Sequence, residues 1–156
     1  MGKEVRTRKP ILSQFNLVCG DLDASMAFYR RLGVEIPDGA VWRTQTGAHH
    51  ASASDPSAGQ AVDLALDSAA FSQHWNRGWK GRADLKGRVV VGFHMPTREA
   101  VDEVFRDMTS AGYRGLQKPY DAIWGARYAM IEDPDGIAVG LMSPVSPDKK
   151  SPPPDV

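Results

Sequence analysis

The chain repeats its own pattern of apolar residues, and this repeat constrains the fold more than any other feature. A shift of 76 residues lays Leu17 on Phe93 and Leu32 on Met108. In each copy an alternating run indicates a strand, and apolar residues at helical spacing follow it. A repeat of this length indicates two copies of one supersecondary unit within the 156 residues of the chain.

The first copy begins with a predicted strand and a predicted helix. The strand has one buried face, formed by the alternating residues Phe15, Leu17 and Cys19. Asp21 is the expected N-cap of the helix, and Gly33 is the expected residue at its end. Because Cys19 alternates with apolar residues, we expect its thiol to be buried and unreactive.

The second copy repeats this order. Its strand alternates through Val89, Val91, Phe93 and Met95. Thr97 is the expected N-cap of the second helix, and Gly112 is expected to close it.

Further strands are predicted near residues 34–37, 41–48 and 61–66, and near 114–118, 126–132 and 137–142. An Asp-Pro-Asp-Gly turn at 133–136 separates the last two. Each copy therefore has the order β-α-β-β-β, and the fold class is α+β, with two small curved sheets and one helix on the outer face of each. The predicted organisation is a flexible arm (1–10), a first module (11–67), a linker (68–87), a second module (88–143) and a disordered Pro-rich tail (144–156).

Composition excludes several classes of function. Lys plus Arg and Asp plus Glu both number 19, so there is no basic stripe of the kind that binds nucleic acid. No apolar run is long enough to span a membrane. The single cysteine excludes an internal disulfide. No apolar segment follows the basic N-terminal residues, so we expect no signal peptide and a cytoplasmic location.

Three stretches in this order make the chain resemble the vicinal-oxygen-chelate superfamily, which groups glyoxalase I, bleomycin-resistance proteins, fosfomycin-resistance enzymes and extradiol dioxygenases. They are Asp21-Leu22-Asp23-Ala24-Ser25 through Phe28-Tyr29 to Leu32-Gly33, Trp124-Gly125-Ala126-Arg127-Tyr128, and Asp133-Pro134-Asp135-Gly136. The resemblance implies the glyoxalase/bleomycin-resistance fold, in which paired βαβββ modules curve around a cup-shaped cavity. The cup forms within one chain or between the chains of a dimer, and we expect a homodimer.

The resemblance also implies four positions for metal ligands. They fall on Gln14, Asp63, Val90 and Gly140. Only the first two have side chains that can bind a metal, whereas metal chemistry of this kind uses about three protein ligands. We therefore expect no metal and no other cofactor.

Without a metal, the lining of the cup is the remaining indication of function. The candidate ligand-binding residues are Gln14, Asn16, Trp42, Asp63, His94, Trp124 and Tyr128. Aromatic rings suit a flat or drug-like molecule, and polar groups among them would fix its orientation. The sequence thus favours a metal-free small-molecule binding protein similar to the bleomycin-resistance proteins, whose function is antibiotic resistance.

The alternative is an enzyme, either a glyoxalase-like lyase or isomerase or a dioxygenase. Such an enzyme would depend on a metal or use Asp63 or His94 in acid–base catalysis. Asp63 facing the cup suits a cationic ligand or a catalytic base, and pairing with an arginine such as Arg127 is the structural alternative. The sequence leaves open whether the chain is an enzyme.

Overall fold

The computed structural model describes residues 14–53, 62–75 and 89–152. The first half forms β1 (Gln14–Cys19), α1 (Leu22–Leu32), β2 (Val41–Thr44), β3 (Gly47–Ser52), β4 (Asp63–Ser68) and α2 (Ala69–Trp75). The second half forms β5 (Val90–His94), α3 (Arg98–Ser110), β6 (Gly115–Asp121), β7 (Arg127–Glu132) and β8 (Ala138–Met142). Each half has the predicted order β-α-β-β-β, to which the first adds α2. No helix in the described ranges is long and apolar enough to cross a membrane.

The strands form two separate, curled, four-stranded sheets, as expected for the α+β class. Their orders are β1-β4-β3-β2 and β5-β8-β7-β6. In each sheet the first and last strands of the module lie side by side in parallel, and the other neighbours are antiparallel. We call the face of each sheet opposite its helix, α1 or α3, the open face. The open faces carry Gln14, Asn16, His50, Ser52, Asp63 and Asp67 in the first module, and Val90, His94, Tyr128, Met130, Gly140 and Met142 in the second.

The two main helices begin and end where the sequence predicts. Asp21 Oδ1 accepts a hydrogen bond from the backbone N–H of Ala24 (3.0 Å), and Thr97 Oγ1 accepts one from that of Ala100 (3.1 Å). Gly33 follows α1 in the left-handed conformation, with φ of 110°. These caps satisfy backbone groups that a helix end would otherwise leave unpaired.

Two predicted strands of the first module are wrong in detail. Residues 34–37 do not form a strand. The carbonyl oxygen of the buried Ile36 accepts hydrogen bonds from Arg30 Nε (3.0 Å) and Nη2 (2.6 Å) instead of from a neighbouring strand. The predicted strand at 41–48 is instead a hairpin of β2 and β3, and its turn ends at Gly47, whose φ is 123°.

A buried hydrogen-bond network joins the modules at the predicted Asp-Pro-Asp-Gly turn between β7 and β8. Tyr29 Oη donates to Asp133 Oδ2 (3.0 Å), and both residues are buried. Asp135 accepts from Ser25 Oγ (3.1 Å) and from the backbone N–H of Gly20 (2.8 Å). The turn of the second module is therefore hydrogen-bonded to α1 and to the residue Gly20 before it, and the two modules share one apolar core.

Part of the Pro-rich tail, predicted to be disordered, lies along the segment before β7. The backbone N–H of Ser146 donates to the carbonyl oxygen of Gly125, and that of Ser151 to that of Ile123, both at 2.9 Å. Some of the predicted segments lie outside the described residues. They are the N-terminal arm, residues 11–13 and 61 of two predicted strands, and the predicted linker from residue 76.

Candidate functional site: the two open faces

The open face of the first module carries a polar cluster that joins three strands. Gln14 Nε2 donates to Asp63 Oδ2 (3.2 Å), and the two residues are register partners on β1 and β4. Ser52 Oγ, from β3, lies 3.4 Å from both oxygen atoms of Asp63. The fold thus brings together two of the residues that the sequence selects.

Arg127 does not pair with Asp63. Its guanidinium contacts Asp102 (2.9 Å) and Asp121 (3.2 Å), both in the second module. Arg127 is therefore not the partner of Asp63, because carboxylates of its own module hold its guanidinium.

The second module has no polar counterpart of the Gln14–Asp63 pair. Val90 is equivalent to Gln14 in the repeat, and its register partner is Ala138. Gly140, the fourth ligand position that the resemblance implies, is the register partner of Gly92, so none of Val90, Ala138 and Gly140 offers a ligand atom from its side chain.

These positions do not fit a catalytic metal ion. Together they offer one amide and one carboxylate, and the other two side chains have no donor atom. Within the described ranges, no group of three or more His, Cys, Asp and Glu residues is placed to hold a metal. A catalytic metal of this kind uses about three protein ligands, so we derive no metal-dependent step.

A buried carboxylate lies next to a histidine on the same open face. Asp67 is 1% exposed, and it accepts hydrogen bonds from Asn16 Nδ2 (2.8 Å) and, at Oδ1, from His50 Nδ1 (2.6 Å). His50 and Asp67 are register partners on β3 and β4. The predicted residue Asn16 thus positions this carboxylate.

Two aromatic side chains border the histidine. The ring centroid of Phe71, from α2, lies 6.1 Å from that of His50 and 5.1 Å from that of Trp42. Trp42 is about half exposed, and its ring also lies 5.2 Å from that of His49. The predicted residue Trp42 therefore belongs to an aromatic edge beside His50.

The open face of the second module carries an aromatic cluster. The ring of Tyr128 lies 5.4 Å from that of Trp124 and 6.1 Å from that of Tyr120, both edge-on. Trp124 and Tyr120 are 38% and 37% exposed. Burial, and to a lesser degree the charge of Tyr120, raises the pKa of the Tyr128 phenol, so it is a neutral hydrogen-bonding group at neutral pH.

Gly140 allows the Tyr128 ring to lie flat on the sheet. A Cβ atom at Gly140 would come within 2.5 Å of Tyr128 Oη. The glycine at this position therefore has a packing role toward the aromatic cluster, which also accounts for the lack of a ligand side chain there.

His94 stands apart from both clusters. It ends β5 on the same face as Val90, it is exposed, and no hydrogen bond or ion pair joins it to another residue of the described ranges. Cys19 is buried, as predicted, and burial raises the pKa of its thiol to about 12.

Sequence reasoning missed His50, Asp67 and Phe71. Adjacent residues of a strand point to opposite sides, and His49 and His50 do have different partners: His49 contacts Ser68 Oγ and two threonines of the hairpin, whereas His50 contacts Asp67. The period of two along β4 puts Asp67 on the same face as Asp63, and this signal was available. The sequence did not show which residue of the neighbouring strand lies beside Asp67.

Comparisons with known proteins agree with this architecture. The family model described as the Glyoxalase/Bleomycin resistance protein/Dioxygenase superfamily matches residues 11–141. A glyoxalase/bleomycin resistance protein/dioxygenase from Nocardioides is 21% identical, with a TM-score of 0.68, over 97% of this chain and 93% of the other. A family enzyme from Burkholderia phytofirmans PsJN is 18% identical, with a TM-score of 0.67, over 86% and 98%. A glyoxalase-related enzyme from Fulvimarina pelagi is 17% identical, with a TM-score of 0.65, over 88% and 93%. At these identities the structures are similar in fold alone, and no curated protein matches the sequence.

Proposed function

The chain belongs to the Glyoxalase/Bleomycin resistance protein/Dioxygenase superfamily, and from that premise we propose that it binds a small, flat organic molecule, without a metal ion, on the open faces of its modules. The observation that carries this proposal is the aromatic cluster of Trp124, Tyr128 and Tyr120. Its rings are partly exposed on a face that no helix of their own module covers. Exposed aromatic surface of this kind stacks on flat ligands at little conformational cost.

The polar face of the first module supports the same proposal by offering groups that orient a ligand. Gln14 and Asp63 present an amide and a carboxylate next to each other, and Asp63 would attract a cationic substituent. A drug-like molecule with a flat body and a cationic or hydrogen-bonding end suits this combination. We propose no resident metal or other cofactor, since Val90 and Gly140, the corresponding positions of the second module, have no side chain that can bind a metal.

We also propose that the protein is a homodimer located in the cytoplasm. The dimer is supported by large apolar side chains that are exposed on both modules and on the segment that follows them, which are Phe15, Trp42, Val90, Leu116, Ile123 and Val145. Exposed apolar surface on this scale is typical of an interface or a binding site. Light scattering on the purified chain should give twice the mass of the 17.0 kDa monomer, and a clean monomer would contradict this part.

The binding proposal is tested with flat natural products, metal-free bleomycin among them, in a thermal-shift screen followed by calorimetry on each compound that raises the melting temperature. Trp124→Ala should weaken binding by about 5- to 150-fold, the loss usual for an aromatic anchor. Ile123→Ala is the matched control, because Ile123 is the adjacent residue, is about equally exposed and lies outside the ring cluster. Unchanged affinity in a folded Trp124→Ala protein would refute this placement of the site.

Two further measurements test the proposed role of Asp63 and the proposed absence of a metal. Asp63→Asn should weaken only cationic compounds, and mainly at low salt, where an exposed charge is least screened. Elemental analysis of protein purified without chelators should find no stoichiometric nickel, zinc, iron or manganese. A stoichiometric metal would contradict the interpretation of Val90 and Gly140 as positions without a ligand.

A further inference from the structure

The pair His50–Asp67 has a geometry that ligand binding alone does not require. We propose that His50 is a general base that takes a proton from an acidic carbon atom of a flat aromatic substrate, with Asp67 as its positioning residue. This inference rests on the proposed binding of a flat molecule at the open faces, and it adds a reaction to it.

The contact with Asp67 determines the tautomer of His50. Ionised Asp67 can only accept hydrogen bonds, and its Oδ1 lies 2.6 Å from His50 Nδ1. Nδ1 therefore carries the proton, and the lone pair of the neutral ring is on Nε2. Asn16 donates to the other oxygen atom of the carboxylate (2.8 Å) and so fixes its orientation. A buried carboxylate that orients an imidazole in this way is the arrangement found behind catalytic histidines.

The imidazole of His50 is accessible, whereas the carboxylate of Asp67 is not. Asp67 is 1% exposed, whereas the His50 side chain is 34% exposed. Nε2 of His50 makes no hydrogen bond to the described part of the chain, so this basic nitrogen is available to a ligand. The carboxylate cannot be reached by a substrate and acts only through the histidine.

An aromatic surface lies beside the His50 ring. The rings of Phe71 and Trp42 lie beside His50 and form an apolar wall. A flat aromatic substrate stacked there would lie within reach of the imidazole. The same wall limits hydration of the imidazole, which favours proton transfer to it from a weakly acidic carbon.

The chemistry needs no co-reactant. Nε2 takes the proton, and the electron pair of the broken C–H bond stays on the substrate. In an elimination this pair forms a new double bond as a leaving group departs. In an isomerisation the substrate anion is protonated at another carbon atom. The imidazolium that forms is stabilised by Asp67. The reaction class is therefore elimination or isomerisation.

This assignment replaces the acid–base candidates that the sequence suggested. Asp63 is engaged by Gln14 and Ser52. His94 has no orienting carboxylate in the described ranges. Among these three groups, only His50 combines an orienting carboxylate, an accessible basic nitrogen and an aromatic wall.

The test uses a nitro-substituted benzisoxazole as the probe, because it is flat and its ring opens when a base takes its one acidic carbon-bound proton. The electron pair of that C–H bond forms the nitrile, the N–O bond breaks, and the oxygen leaves as a coloured phenolate. The wild-type protein should open the ring faster than the same concentration of free imidazole. His50→Gln should lower the rate by about 10²- to 10⁴-fold, the usual contribution of a general base, while His94→Gln is the matched control and should retain it.

Added imidazole should restore part of the rate in His50→Ala. A wild-type rate no greater than that of free imidazole, or an unchanged rate in folded His50→Gln, would overturn the proposal. Binding of the compounds that depend on Trp124 is measured separately. If that binding holds while the His50-dependent rate is absent, the dyad is refuted and the binding function stands. If the rate holds while Trp124→Ala binds normally, the proposed binding site is refuted instead.

The role of Asp67 has its own spectroscopic signature. Nitrogen NMR of the histidine ring should give a protonated Nδ1 and an unprotonated Nε2 for His50 in the wild type. Asp67→Asn has nearly the same shape, but its amide can donate to Nδ1, so the other tautomer should become populated and the rate should fall by at least about tenfold. An unchanged tautomer together with an unchanged rate would show that Asp67 has only a structural role.

Discussion

Replacing Tyr29 by phenylalanine removes a single oxygen atom from the joint between the two modules. Tyr29 Oη donates to Asp133 Oδ2 at 3.0 Å, and both side chains are buried. The other oxygen of Asp133 accepts from the backbone N–H groups of Asp135 and Ile137, at 2.9 Å each. In Tyr29→Phe, therefore, Oδ2 loses its side-chain donor while the turn itself keeps its backbone hydrogen bonds.

The expected loss follows from the charge of the acceptor. Hydrogen bonds to charged groups contribute about 1.5–3 kcal/mol to stability. In a chain of this size, each kcal/mol moves the melting temperature by about 2–4 °C. Tyr29→Phe should therefore melt roughly 3–12 °C below the wild type at neutral pH. The ring contacts, such as that with Phe28 at 5.0 Å, are retained.

The matched control is Tyr113→Phe. Tyr113 packs edge-on against Phe28, with ring centroids 4.9 Å apart, and its hydroxyl makes no hydrogen bond to the described residues. The chemical change is the same, but no hydrogen bond is lost. Thermal unfolding followed by circular dichroism should show a much smaller shift for Tyr113→Phe, and equal shifts for the two variants would refute the reasoning.

The pH dependence gives a second check. Burial raises the pKa of Asp133 above its usual value, although the backbone N–H of Ile137 and the Tyr29 hydroxyl partly oppose this rise. The folded chain therefore holds this proton more tightly than the unfolded chain. The ionisation of Asp133 therefore lowers the free energy of unfolding of the wild type as the pH rises from about 3.9, the usual pKa of an aspartate, through the folded-state pKa.

The Tyr29 hydroxyl favours the ionised form of Asp133. Its contribution is present when Asp133 is ionised and is lost as the pH falls through the folded-state pKa. The difference in melting temperature between Tyr29→Phe and the wild type should therefore shrink on acidification. A difference that stays constant would show that the loss at neutral pH has another cause.

Two further predictions concern the backbone and the cysteine. Gly125 has a φ of 92°, and a Cβ atom there would collide with the carbonyl oxygen of Ser146, so Gly125→Ala should lower the melting temperature by several degrees. Gly39→Ala is the control and should have little effect, because no atom lies within 4 Å of a Cβ atom placed there. Similar shifts of the melting temperature in the two variants would contradict this prediction. Burial raises the pKa of the Cys19 thiol to about 12, so a thiol reagent should label the folded chain very slowly at neutral pH. In denaturant the same reagent should label one thiol per chain. Rapid labelling of the folded chain would contradict this prediction.

Local patterns in the sequence were sufficient for much of the fold. The caps at Asp21 and Thr97 and the turn at 133–136 depend on residues a few positions apart, and the structure contains all three. The repeat predicted two modules of β-α-β-β-β, because alternation and helical spacing express which face of each element is buried. The strand predicted at 34–37 does not form: the side chain of Arg30, in the preceding helix, donates hydrogen bonds to the carbonyl group of Ile36, a contact that alternation of apolar residues does not reveal.

The site depended on contacts across the chain. Gln14 meets Asp63 over 49 residues, His50 meets Asp67 over 17, and Tyr29 meets Asp133 over 104. The sequence alone named Gln14 and Asp63 but could not select His50 over His49 or His94, since the choice requires the register between β3 and β4. Register is set by how the buried faces of the strands pack together, and a shift of one residue would move every side chain of a strand to the opposite face. The sequence by itself therefore determined the two repeated modules and the ends of their main helices, whereas only the tertiary structure decided which histidine lies against a buried carboxylate.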